Sequence, residues 1–587
     1  MTTRTTRRRV ALSFVIVVLI AVLFVTRLID IQVVGATAYN EASSGKMSIP
    51  ETVYGTRGDI VDSAGNLLAT ERMTYDVTVS PRNAKEFSRK TESGEVTVTP
   101  QMAAKEIAAV TKQSPDDIIT IINDALADDP NSDFAYVAKG VDVDAFTAIN
   151  SLDIPWIYFE QNPSRAYPNG AVAGNLLGFV GSDGTPLAGL ELGEQDCVGG
   201  VNGSQSYARG ADGVRIPGST AVTEAAKNGS TLKLTIHSDL QWFAQQALAA
   251  TASSQNAKWG MTVVMEVKTG RLVAVADYPT FDPNNIDAYA PEDRGSRAFT
   301  SPYEPGSTMK SLTAASIVDA GVATPLSQMV SPQYIEFPNG AKFRDWGPHP
   351  ANLTLQGVMS WSSNTGISQL GALLEPEKRY DYLANFGLGQ TTAVGFPGES
   401  AGLLRSWDEW DNQSFYTMFF GQGLTLTSIQ MASAYAAIGN GGLRPPVSLV
   451  ESCTDADGNV ITPHQPEPVR VISEKAARTT VDILENIVTH GWLTDYINVP
   501  GYRIAAKTGT AEQADGHGGY SDKFIVSLAV LFPADDPQYV VLTSLASPDS
   551  NSNAAIVSDV NNLIKQIIKT EGVQPSTGKP VEYSDYY

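Results

Sequence analysis

Arg4, Arg7, Arg8 and Arg9 stand immediately before an uncharged apolar run from Val10 to Val25, and this junction constrains how everything after it can fold. As a helix the run spans roughly 24 Å, and Leu28 and Ile29 extend it past Arg27 towards bilayer thickness. No comparable apolar stretch follows, so residues 10–30 are expected to form a single transmembrane anchor. Arginines ahead of the run and no dense cluster behind it put residues 1–9 in the cytoplasm and the rest of the chain outside the membrane. The competing reading is a cleaved signal peptide, because Ala36-Thr37-Ala38 fits an A-x-A cleavage site. Arg27 and Asp30 separate that tripeptide from the run, and the run is long for a signal-peptide core, which favours an uncleaved anchor.

With 587 residues the chain exceeds one compact core and calls for two or three domains. Hydrophobic residues at 42% and charged residues at 18% exclude global disorder. A formal net charge of −22 argues against nucleic acid, whose phosphates need clustered Lys and Arg. The two cysteines, Cys197 and Cys453, fall in segments read as different domains and are expected to be unpaired thiols. His237, His349, His464, His490 and His517 show no zinc spacing, and no metal ligand set or cofactor motif is found.

Three short strings carry the chemistry: Ser307-Thr308-Met309-Lys310, then Ser362-Ser363-Asn364, then Lys507-Thr508-Gly509. A serine hydroxyl needs an adjacent base to be a nucleophile at neutral pH. On a helix, Lys310 lies three residues from Ser307 and on the same face. To accept a proton it must be neutral part of the time, and burial together with a second cation, Lys507, would lower its pKa. Glu304-Pro305-Gly306 reads as a turn feeding the helix. Ser-x-x-Lys alone is common, and so is Ser-x-Asn; the order of the three strings gives them weight. Two copies are set aside. Lys268-Thr269-Gly270 sits in a hairpin turn ahead of the serine, and Ser576-Thr577-Gly578-Lys579 lies in a polar tail with no motif behind it. Rival sites fail as well: Ser307 is not in G-x-S-x-G, no G-x-G-x-x-G opens a helix, and Asp455-Ala456-Asp457-Gly458 reads as a turn rather than a calcium loop.

The ordered trio resembles that of the serine penicillin-recognising acyltransferases. The resemblance implies Ser307 as nucleophile, Lys310 as base, Ser362 as proton relay, Lys507 as the cation of the substrate strand and Asn364 as a holder of the substrate amide. It further implies that Thr508 and Thr510 bind a terminal carboxylate, that Gly509 admits the substrate backbone, and that the N–H groups of Ser307 and Thr510 form the oxyanion hole.

Upstream, Arg57-Gly58-Asp59-Ile60-Val61-Asp62 leads through Ser63-Ala64-Gly65-Asn66 into Leu67-Leu68-Ala69, a strand–turn–strand pattern. A glycine-dense stretch follows, with Tyr167-Pro168, Gly174 to Gly178 and Gly189-Leu190-Glu191. These strings resemble the pedestal of class B penicillin-binding proteins, with Ser63 and Val198 departing from the usual residues. The fold class so implied is α+β and multidomain: a β-rich pedestal over 31–229, then a transpeptidase domain over 230–570 with an antiparallel, β-lactamase-like sheet flanked by helices. The polar residues 571–587 are expected to be disordered. Pro100 to Asp124 has helical periodicity with Met102, Ile107, Val110, Ile118 and Ile121 as candidate core, and Pro338-Asn339-Gly340 signals a hairpin.

The resemblance is strongest to the septal cell-division peptidoglycan D,D-transpeptidase. It implies cross-linking of stem peptides through a Ser307 acyl-enzyme and inhibition by β-lactams. Expected partners are peptidoglycan, the membrane, a SEDS-type glycosyltransferase and other division proteins. An elongation role, a catalytically weak division scaffold, a β-lactam sensor and simple D,D-carboxypeptidase or β-lactamase action are the alternatives. Acceptor chemistry, antibiotic profile and oligomeric state are not legible in the residues.

Overall fold

A computed structural model describes residues 3–35, 37, 48–91, 94–208, 216–514, 519–549 and 553–587. Ala36 and Ala38 of the cleavage-like tripeptide, and His517, lie outside the described residues. The chain divides into two compact units, residues 1–56 with 200–229, and residues 57–199 with 230–587.

In the first unit a helix over Thr3–Ile29 continues into a π-helical turn at Asp30–Val34. Thr6–Val34 is long and apolar enough to cross a membrane, and no other described helix is. Arg27 and Asp30 pair on it at 2.5 Å. A small antiparallel sheet places Gly203–Ala208 between Ser48–Val53 and Ala221–Glu224.

In the second unit the expected hairpin forms: Ile60–Val61 turns back through Gly65 (φ 89°) into Leu67–Val79. Its sheet runs Val460–Ile461, Val450–Thr454, Thr231–Leu234, Ile60–Val61, Leu67–Val79, Ala135–Val141, with Ile157–Ala166 also paired to Leu67–Val79. One sheet therefore crosses the division expected at residues 229/230. Arg57 and Glu191 of the upstream strings meet, together with Arg165: Glu191, with 0% exposure, accepts from Arg57 Nε at 2.5 Å and Arg165 Nε at 2.6 Å. A carboxylate so deprived of water needs both guanidinium partners. Asp62 accepts from Ala64 and Asn66 N–H within the turn and from Ser238 Oγ at 2.5 Å, so it reaches the start of the helix that opens the core carrying the three strings.

The helical segment beginning at Pro100 is two helices, Pro100–Thr111 and Pro115–Asp128, separated where Lys112 turns left-handed (φ 59°) and Ser114 caps the second. Ile107 and Ile118 are buried as expected, but Met102 is exposed; Ala103 and Ala104 fill the core at that turn.

Cys197 and Cys453 are not free thiols. They form a disulfide, with Cα atoms 6.0 Å apart. The expectation failed because the cysteines share a unit. Strand Thr231–Leu234 pairs Leu232 with Cys453, and Ser230 N–H, one residue before that strand, donates to Cys197 O.

The core that carries the three strings is built from α1 (Ser238–Ser254), β1 (Trp259–Glu266), β2 (Leu272–Tyr278), α2 (Lys310–Asp319), α3 (Leu355–Ser360), α4 (Asn364–Gly371), α5 (Ser428–Gly439), α6 (Glu474–His490), β3 (Ala505–Ala514), β4 (Tyr520–Phe532), β5 (Tyr539–Ala546) and α7 (Ala554–Glu571). The five strands form an antiparallel sheet in the order β2-β1-β5-β4-β3, which leaves β3 at an edge. Near-continuous burial along β5 and the second half of β4 reflects helices packed on the sheet, α1 with α7 and α5 with α6. Thr427 and Gln430 close a capping box at the start of α5. The Pro338-Asn339-Gly340 hairpin forms between Tyr334–Glu336 and Lys342–Arg344.

Residues 571–587 are not disordered. From Val573 onward the segment hydrogen-bonds to Gly501, Arg503, Asn486, Thr354 and Ser360. Low apolar content does not free a segment whose backbone is bonded to buried polar groups of the core.

Candidate active site

Three elements bring the three strings together. Ser307 sits in a 3-10 turn, Gly306–Met309, that runs directly into α2, whose first residue is Lys310. Gly306 adopts φ 57°, and a Cβ on it would meet the Thr510 carbonyl oxygen at 2.7 Å. The serine turn is thus pressed against β3. Gly509 serves the same contact from the other side: its Cβ would meet Pro305 O at 2.8 Å and Thr308 Cγ2 at 3.0 Å. The sequence reading assigned Gly509 to substrate approach; the structure shows that the enzyme's own serine turn already excludes a side chain there.

Lys310 (0% exposed) and Lys507 (1% exposed) converge on Ser362. Lys310 Nζ donates to the Ser362 carbonyl and, at 3.2 Å, to Ser362 Oγ. Lys507 Nζ donates to the same Oγ at 2.9 Å and to Thr508 O at 3.1 Å. Neither of these Lys310 hydrogen bonds goes to Ser307. Burial, then the neighbouring Lys507, hold the Lys310 pKa well below the usual lysine range, while Asp345 opposes them weakly. Burial alone brings Lys507 down to about 7.

Ser362 adopts φ 54°, a left-handed conformation that costs a non-glycine residue about 1–2 kcal/mol. Its neighbours hold it there. Ser363 N–H returns to Val358 O at 2.9 Å, and Ser363 Oγ caps α4 by accepting from Gly366 N–H. Asn364 Nδ2 donates to Arg344 O at 3.2 Å.

Asp345 was missed by sequence reasoning. Its buried carboxylate accepts from the N–H of Asn364 (2.5 Å) and Thr365 (3.0 Å) and from the hydroxyls of Ser363 (2.8 Å) and Thr365 (3.1 Å), and it contacts His349 Nε2 at 2.5 Å. It anchors Ser363 and Asn364 of the second string, and Thr365 after them, from a hairpin some 20 residues upstream. No local pattern marks it, since folding brings the backbone and hydroxyl donors of residues 363–365 to it. Asp345→Ala leaves those donors unpaired, at about 1–3 kcal/mol for each that stays buried. A thermal melt should show the loss, and penicillin acylation should slow as Ser362 drifts; an unchanged melt and rate would refute the anchoring role.

On β3, Thr508 and Thr510 share one face. Asn553, ahead of α7, was also missed. With its amide donating to the Gly509 and Ser527 carbonyls at 3.0 Å, its oxygen accepts from Thr510 Oγ1 at 3.2 Å. The Thr510 hydroxyl must therefore turn away from Asn553 to donate to a ligand carboxylate. The copy at Lys268-Thr269-Gly270 lies in the β1–β2 turn, where Lys268 meets Asp536 at 3.3 Å and is largely exposed. Lys268→Ala is expected to leave acylation unchanged and to alter stability by under about 0.5 kcal/mol. A loss matching that of Lys507→Ala would show that this copy matters.

Among known families, the penicillin binding protein transpeptidase domain matches residues 260–569, and the penicillin-binding protein dimerisation domain matches residues 52–234. The chain is 33% identical over 571 residues to penicillin-binding protein PbpB of Mycolicibacterium smegmatis, covering 93% of this chain and 87% of that protein. It is 28% identical over 540 residues to peptidoglycan D,D-transpeptidase FtsI of Escherichia coli, covering 91% and 87%. The crystal structure of a peptidoglycan synthetase from Bifidobacterium adolescentis superposes with a TM-score of 0.71 at 28% identity, over 92% of this chain and all of that one. Penicillin binding protein 3 of Mycobacterium tuberculosis, complexed with aztreonam, gives 0.67 at 27% identity, over 90% of this chain and 99% of that one.

Proposed function

We propose that this chain, which belongs to the class B penicillin-binding proteins, is a peptidoglycan D,D-transpeptidase that cross-links stem peptides during septal cell-wall synthesis through an acyl-enzyme on Ser307. The observation that carries this reading is the Ser362 hydroxyl shared by two buried lysines. Both lone pairs of Oγ are occupied by N–H donors, so its one proton is left for a third partner.

Neutral Lys310 takes the proton of Ser307 Oγ as that oxygen bonds to the carbonyl carbon of the penultimate D-alanine. The N–H groups of Ser307 and Thr510 receive the developing oxyanion; one such donor is worth on the order of 10²–10³ in rate. The C–N bond then breaks, the departing D-alanine amine takes a proton from Ser362, and Lys310 replaces it. An acceptor amine reverses these transfers and frees Ser307. Lys507, Thr508 and Thr510 attract the terminal carboxylate, and Asn364 holds the substrate amide. A β-lactam enters as the donor does and leaves its acyl group on Ser307.

The apolar helix over Thr6–Val34 supports a membrane anchor. The arginines ahead of Val10 support a cytoplasmic amino terminus and an extracytoplasmic catalytic domain. Within the bilayer the helix is available to a SEDS-type glycosyltransferase and other division proteins.

Intact-protein mass spectrometry after incubation with a labelled penicillin, followed by peptide mapping, tests the reading. One adduct is expected, on the peptide carrying Ser307, together with D-alanine release from a stem pentapeptide. No adduct, or one on another residue, would sink it.

A further inference from the structure

The segment Val573–Tyr587 has no part in the chemistry above, yet it links the strand that carries Lys507 to the helix that ends before Ser362. At one end Ser576 N–H donates to Gly501 O at 2.9 Å, and Ser576 Oγ accepts from Arg503 N–H at 2.8 Å, just ahead of β3. In the middle, Asn486 of α6 donates to Val581 O at 2.6 Å and accepts from Tyr583 N–H at 3.0 Å. At the other end Thr354 donates through N–H to Asp585 O at 3.0 Å and through Oγ1 to Ser584 O at 2.6 Å. Ser360 Oγ donates to Asp585 Oδ1 at 2.9 Å, and Trp361 Nε1 donates to the Tyr586 hydroxyl at 3.0 Å.

Two features set this apart from a tail lying on a surface. Asn486 and Thr354 are buried, so removing the segment strands polar groups whose partners it supplies. Helix α3 is also shaped to receive it: a Cβ on Gly357 would meet Asp585 O at 2.0 Å. The last contacts fall on Ser360 and Trp361, the two residues before Ser362. A strained left-handed residue persists only where its surroundings over-determine it, and this segment grips the preceding residues from outside.

We infer that Val573–Tyr587 is a positioning strap for the active site, which clamps Ser360 and Trp361 so that the Ser362 hydroxyl stays between Lys310 and Lys507. The inference rests on the transpeptidase reading above. With the strap gone, Ser362 relaxes towards ordinary backbone angles, its hydroxyl leaves the lysines, and water reaches them. Hydration weakens the desolvation that lowers the Lys310 pKa, so acylation needs a higher pH.

The test compares the full chain with a chain ending at Glu571 and with Gly357→Ala, which evicts the strap while improving helix propensity. Second-order penicillin acylation is measured from pH 5 to 10. Both variants should acylate about tenfold or more slowly at pH 7, as displacement of a positioned group predicts. Their acid limbs should move to higher pH, and a synthetic peptide of residues 573–587 should restore the shortened chain. A purely structural role would lower the melting temperature without moving the pH profile. Folded Gly357→Ala protein with parental rate and profile overturns the inference, whether or not the shortened chain folds. Failure of the parent chain itself to be acylated would instead count against the transpeptidase reading.

Discussion

A Lys310→Met chain should melt at a higher temperature than the parent protein while losing about 10²–10⁴ of its penicillin acylation rate, the usual worth of a general base. Both effects have one cause. Lys310 is fully buried, its neighbour is another lysine, and Asp345 offers only weak compensation. A lysine whose folded pKa lies below its unfolded value destabilises the fold. That penalty is complete below the folded pKa and fades as pH rises to the unfolded value near 10.4. Lys507, at about 7, adds a second group with the same sign. The parent protein should therefore gain stability from pH 7 towards 10, and Lys310→Met should lose part of that slope.

Methionine keeps the length and apolar stem of lysine, so the site stays filled. Removing the desolvated amine removes the cost of keeping it from its proton, so the variant is expected to match or exceed the parent in stability. Calorimetric melts between pH 6 and 9 together with acylation rates decide the matter. A variant that melts below the parent at pH 7, or that acylates at the parental rate, would mean that Lys310 is not a strained base.

Breaking the Cys197–Cys453 bridge should have the largest effect on stability outside the site. The bridge closes a loop with a sequence separation of 256, and the chain-entropy model assigns a loop of this size about 5 kcal/mol. The double variant Cys197→Ala/Cys453→Ala should lose about 2–5 kcal/mol in denaturant unfolding, and a reductant should destabilise the parent but not the variant. Two free thiols per native chain in a denatured, unreduced titration would contradict the pairing.

The sequence by itself determined the apolar amino-terminal helix and the three short strings, because each is written in contiguous residues. An uncharged sixteen-residue run after arginines, a serine three residues before a lysine and the order of the strings need no tertiary knowledge. The hairpins at Gly65 and Gly340 were legible for the same reason: a short turn depends on the residues within it. What only the tertiary structure decided is every relation between distant segments. Asp345 and Asn553 hold the second and third strings through donors that folding brings to them. Gly509 must be glycine because the Ser307 turn packs on it, a contact between residues some 200 positions apart. The cysteines looked unpaired, and residues 571–587 looked free, for one physical reason. Composition reports what a segment can bury by itself, whereas a disulfide or a strap depends on what the rest of the fold leaves beside it.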